Sequence, residues 1–123
     1  MLEDDLARVR HMLGSAREAL VFASQRVRSD LDNDRMLTLA LVRSVEVIGE
    51  AASRISVGFR RRYPDLPWRD IVSMRNRLIH TYFNVNLDIV WSTVVEDLPP
   101  LVAQLEQILA DEDAPEGAGH ESA

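Results

Sequence analysis

Apolar residues return every three or four positions along the first half of the chain. Leu6, Val9, Leu13, Ala16, Leu20 and Ala23 draw one stripe, and Leu37, Leu41, Val45, Ile48, Ala52 and Ile55 draw a second. That period suits a helix with one buried face and does not suit a strand. Gly and Pro, five of each in 123 residues, are too sparse to interrupt the pattern often, while Ala, Leu, Glu and Arg are frequent. The chain therefore reads as all-α around one core, with no room for a second domain.

The first stripe predicts a helix from Leu2 to about Val27. SDLDND, residues 29–34, supplies turn chemistry, and Asp32, Asn33 or Asp34 is placed to cap a second helix running to about Ser56. The two form an antiparallel hairpin. VGFRRRYPDLP, residues 57–67, contains Gly58, Pro64 and Pro67 and reads as a connection. Pro67 then opens a third helix, with Asp70 in its first turn, ending near Phe83. NVN at 84–86 makes a turn, and a fourth helix runs from Leu87 to about Ala110. Pro99 and Pro100 kink or break it, because each removes an amide donor and crowds the preceding turn. Residues 111–123, DEDAPEGAGHESA, have the composition of a disordered acidic tail, which sets the helical domain at 1–110.

Composition excludes several chemistries. With no Cys, a disulfide framework, a thiolate metal site and a thiol nucleophile are all ruled out. The three His residues, at 11, 80 and 120, lack metal-ligand spacing, so neither a metal nor a cofactor is expected. MLEDDLARVR opens acidic, unlike a signal peptide, and no stretch approaches the roughly 20 apolar residues of a membrane span. A cytoplasmic protein without membrane contact is the expectation. The net charge of -6 argues against a nucleic-acid partner only until its distribution is considered. Five acids lie in the tail, so the body carries about one negative charge. Seven Arg stand between Arg54 and Arg77 against Asp65 and Asp70 alone. Arg60, Arg61, Arg62, Arg69 and Arg77 are thus candidate contacts for RNA phosphates, although a short basic run also serves simple solubility.

MRNRLIHTYF, residues 74–83, lies inside this basic zone. Projected as one helix at about 100° per residue, the segment from Pro67 puts Ile71, Val72, Leu78, Ile79 and Tyr82 on one stripe, with Arg75 among them. Asn76, Arg77 and His80 fall on a polar face with Arg69 and Ser73. An arginine in an apolar stripe needs a partner or a cleft. One reading pairs Arg75 with Glu46 or Glu50 of the second helix and leaves His80 to cap a helix end. Arg43, Glu46, Glu50 and Arg54 would then be an ordinary salt-bridged face. The other reading is chemical. Arg offers a permanent charge and several donors to non-bridging phosphate oxygens, and His titrates near neutrality and moves protons. Together they suit phosphodiester cleavage without a metal.

Arg75, four intervening residues, His80, Thr81 and Tyr82 match the R-x4-H-x-Y motif of the HEPN superfamily, and RNRLIHTYF resembles its HepT branch. RSVEVIGEAASRIS, YPDLPWRDIVSMRN and NVNLDIVW are similar to the same branch, so the likeness covers roughly Leu2 to Ala110. It implies an up-and-down HEPN bundle of four or five helices that dimerises around the third and fourth helix region, with two motifs facing one cleft. It further implies a metal-independent endoribonuclease toxin, acting on tRNA or mRNA and neutralised by a small MNT-type nucleotidyltransferase antitoxin. Carried over, Arg75 and His80 are catalytic, Asn76 supports them, and Tyr82 is the acceptor if that partner transfers AMP. The alternative is a non-catalytic helical partner or substrate of such a nucleotidyltransferase.

Overall fold

The computed structural model describes residues 2–81 and 84–113, with the backbone alone at 79–81 and 84. Helix α1, Leu2–Ala23, has Glu3, Asp4 and Asp5 in its first turn, where acids complement the helix dipole, and buries Val9, Met12, Leu13, Ala16, Ala19 and Ala23. It stops four residues short of the expected Val27, and Gln25 takes a left-handed backbone (φ 61°) just beyond its end. A single turn, α2 (Asp30–Asn33), occupies the expected loop. Asp34 then caps α3, Arg35–Ser53, its side chain accepting from the Leu37 amide at 3.0 Å.

α1 and α3 are antiparallel, as their patterns require. Arg26 beyond the end of α1 pairs with Asp34 at the start of α3, while Asp5 reaches Ser56 beyond the end of α3. The central positions of α3, Leu41, Val45, Ile48 and Ala52, are fully buried. Gly49 permits a close approach between segments, since a Cβ there would stand 3.3 Å from the Val72 carbonyl oxygen.

The segment between the second and third expected helices is not a bare connection. Val57–Arg62 forms α4, capped by Ser56, whose hydroxyl accepts from the Phe59 amide. Phe59 is its buried residue, so one apolar anchor and one cap are enough to order this turn among three arginines. Pro67 precedes α5, Trp68–Val72, as expected.

The third helix departs most from the sequence expectation. It breaks at Ser73, restarts as α6, Met74–Leu78, and ends there instead of at Phe83. The chain continues as β1, Ile79–Thr81, paired antiparallel with β2, Asn84–Val85, so that Ile79 opposes Val85. β-branched residues and aromatics crowd the sequence IHTYF of 79–83, and such side chains favour extended backbone over helix.

Asn86 caps α7, Leu87–Ser92, by accepting from the Ile89 amide at 3.1 Å. Next comes a π-helical turn, Thr93–Asp97, and then α8, Leu98–Asp113. Pro99 and Pro100 therefore stand in the first turn of α8, where a missing amide donor is tolerated, and the wider π register absorbs the mismatch that a continuous helix would carry. α8 also runs past Ala110, so Asp111, Glu112 and Asp113 belong to the helical body and not to the tail. One core joins all these helices through Ile71, Leu78, Val90, Val94, Leu98 and Leu105, each worth about 1.5–3 kcal/mol of burial.

Candidate functional site around the Arg75 helix

α6 is too short to be stable alone, and its two buried residues hold it. Met74 and Leu78, four positions apart, face inward. Arg75, Asn76 and Arg77 consequently all point outward and are exposed. Arg75 thus does not sit in the apolar stripe that a continuous helix would give it, because the break at Ser73 resets the helical phase. The Ser73 hydroxyl donates back to the Arg69 carbonyl at 2.9 Å, and the Asn76 amide donates to the Ser73 carbonyl, closing the new turn.

Arg75 does have the partner that the ion-pair reading requires. Its Nε donates to Glu46 Oε2 of α3 at 2.9 Å, with the arginine side chain 51% and the glutamate 27% exposed. At that exposure the pair adds under about 1 kcal/mol, so its effect is on where the guanidinium points. Glu50, the other candidate partner, instead lines a groove with Arg8, His11 and Arg54.

His80 is the middle residue of β1, so it belongs to a strand and not to the helix that carries Arg75. The shared polar face expected for Asn76, Arg77 and His80 with Arg69 and Ser73 is therefore replaced by two elements joined at Leu78 and Ile79. The side chain of His80 and the whole of Tyr82 lie outside the described residues.

The candidate RNA-binding arginines divide into two groups. Arg60 is half-buried, donates from Nη2 to the Ala52 carbonyl at 2.7 Å, and lies 6.0 Å from the centre of the Trp68 ring. Its Nε is buried without a hydrogen-bond partner among the described residues. Arg62 donates to Glu112 at 2.5 Å and covers the Phe59 and Tyr63 rings at 5.8 and 5.7 Å. These two tie α4 to α3 and α8. Arg61, Arg69 and Arg77 are exposed and make no ion pair among the described residues. Tyr63, on which the sequence pattern places no emphasis, also donates to Glu112, and burial followed by that hydrogen bond pushes its hydroxyl pKa upward. Among the described residues no group of three or more His, Asp or Glu is placed to hold a metal ion, and no helix is long and apolar enough to cross a membrane.

A family model described as "Ribonuclease HepT-like" matches residues 12–108. The chain belongs to the HepT-like ribonuclease family. Relatives agree along most of its length. A candidate RNase of Caldanaerobacter subterraneus subsp. tengcongensis is 43% identical over 83 residues, covering 68% of this chain and 74% of that protein. A candidate RNase of Methanocaldococcus jannaschii is 35% identical over 95 residues, covering 77% and 87%. A candidate ribonuclease HepT of Thermococcus cleftensis is 41% identical over 75 residues, covering 61% and 68%. No solved structure matches. For this HepT-like chain the all-α HEPN bundle read from the sequence is the observed architecture, with a two-stranded ribbon added at the motif.

Proposed function

We propose that this HepT-like chain is the toxin half of a toxin–antitoxin pair, a metal-independent endoribonuclease that works as a homodimer with two Arg75–His80 motifs around one cleft. The observation that carries this reading is an exposed Arg75 guanidinium, oriented by Glu46, on a helix that runs directly into the strand bearing His80. In the reaction a histidine takes the proton of the 2′-hydroxyl as its oxygen attacks phosphorus. The P–O5′ bond breaks, and the departing 5′-oxygen receives a proton, which leaves a 2′,3′-cyclic phosphate and a 5′-hydroxyl. Arg75 neutralises the charge that builds on the non-bridging oxygens, and Asn76 supports it with a hydrogen bond. Arg61, Arg69 and Arg77 hold flanking phosphates, with Arg60 and Arg62 bracing α4 against α3 and α8.

Neutralisation in this reading falls to a small nucleotidyltransferase that transfers AMP to Tyr82. Adding a bulky anion two residues from His80 would repel the RNA backbone. The test has two parts. Arg75→Ala and His80→Ala should each lower RNA cleavage by about 10²–10⁴-fold while sedimentation still shows the dimer. Incubation with the cognate nucleotidyltransferase and ATP should raise the mass of the Tyr82 peptide by one AMP unit. Cleavage retained by both variants refutes the assignment, whereas an inactive wild type that takes up AMP makes the chain a substrate of its partner only.

A further inference from the structure

On the flank of α6 opposite Glu46, Arg77 opens onto a cavity of about 220 Å³ between the α5–α6 segment and the start of α8. Ile71, Met74 and Leu101, all buried, make its floor. Asp70, Asp97 and Gln104 stand with Arg77 around it. None of these four side chains has a hydrogen-bond or ion-pair partner among the described residues. Asp97 closes the π-helical turn, a feature that recurs at functional sites because it re-aims side chains.

An apolar floor with a few unengaged polar groups at its rim is the usual form of a small-molecule subsite. The polar set defines what fits. Two carboxylates outnumber one guanidinium, so a phosphate is repelled from the cavity itself and a flat group that donates hydrogen bonds is favoured. Consecutive residues on a helix are about 100° apart, so Arg75, Asn76 and Arg77 sweep across the outer face of α6. A strand held at Arg75 and crossing that face runs toward the cavity that Arg77 borders.

We infer that this cavity is a nucleobase subsite that accepts a base with an exocyclic amino group, Asp70 and Asp97 taking its hydrogen bonds and Arg77 holding the adjoining phosphate. Single-stranded RNA is read in this way, by bases splayed onto a platform and bonded at their edges. A carboxylate accepts from the cytosine 4-amino group, whereas uracil presents a carbonyl oxygen at the same place and meets like charge. The inference rests on the ribonuclease reading for its choice of RNA, but its test does not depend on cleavage.

Binding of labelled oligo(C) and oligo(U) of equal length to the His80→Ala protein, read by fluorescence anisotropy, decides the matter. Oligo(C) should bind about fivefold or more tightly than oligo(U). Asp97→Asn and Asp70→Asn, which keep side-chain shape, should each bring the ratio within about twofold while circular dichroism stays unchanged. Gln104→Ala, on a different helix, should also reduce it. Equal binding of the two oligomers, or a ratio indifferent to all three substitutions, overturns the inference. Binding of free cytidine as tight as that of oligo(C) overturns its link to RNA. An absence of cleavage by wild type would refute the ribonuclease reading while leaving this measurement to stand or fall alone.

Discussion

Glu46 and Asp5 are both carboxylates, and each receives hydrogen bonds from another part of the chain, yet the environment gives them different work. Asp5, only 5% exposed, accepts from the Ser56 amide at 2.8 Å and from its hydroxyl at 2.7 Å, locking the start of α1 to the cap of α4. Asp5→Ala strands two donors and should cost about 1–3 kcal/mol in urea unfolding. Glu46 faces solvent on one side, so Glu46→Gln should change stability by less than about 1 kcal/mol. On the proposed mechanism its consequence is catalytic: with Arg75 less firmly aimed, kcat should fall about tenfold with little change in KM. A rise in KM of that size with kcat unchanged would instead make Glu46 a ground-state binding residue. Tyr63 adds a pH dependence. Folding raises its pKa above the ordinary 10, so the stability it contributes is complete below pH 10 and lost as pH climbs through the folded value. Tyr63→Phe should flatten the alkaline fall in stability, measured by denaturant unfolding between neutral pH and above pH 10.

Elements with a long apolar stripe are legible in the sequence itself. α1, α3 and α8 follow the 3.6-residue period, and Asp34, Pro67 and Asn86 mark helix starts through short-range chemistry that a sequence displays directly. The candidate site is legible as residues but not as geometry. The sequence offers Glu46 or Glu50 to Arg75 as a partner, and the fold joins it to Glu46. Yet a five-residue helix held by Met74 and Leu78 has too few positions for periodicity to show where its phase resets. The β1–β2 ribbon escapes for a related reason, since strands of three and two residues are too short to display a period-two alternation. Asp97 and Gln104 cannot be joined to Arg77 from sequence, because only the placement of the π-helical turn and α8 beside α5 and α6 brings them to one cavity. The α3–α5 crossing can be tested directly. Gly49→Val forces the helices apart against the Val72 carbonyl and should destabilise the fold by about 1–3 kcal/mol, seen as a lower unfolding midpoint with unchanged m-value.

At the scale of the whole molecule, charge and packing separate two surfaces that composition merges. The arginine-rich stretch from Arg54 to Arg77 is not one basic face, since Arg60 and Arg62 are engaged with Ala52 and Glu112 while Arg61, Arg69 and Arg77 are exposed without an ion pair among the described residues. Acidic Glu112 is held within the last helix, so the charge of 111–113 is partly neutralised by the fold itself. An Arg–His ribonuclease acting through the 2′-hydroxyl must leave a definite product whatever RNA it prefers. The decisive measurement is therefore the chemistry of the new RNA ends, made with metal-depleted wild type and His80→Ala protein in excess chelator. Wild type should yield 2′,3′-cyclic phosphate and 5′-hydroxyl termini, and His80→Ala of the same fold and dimeric state should yield none. Cleavage that vanishes with chelator, or products bearing a 5′-phosphate, would contradict a metal-independent Arg75–His80 mechanism.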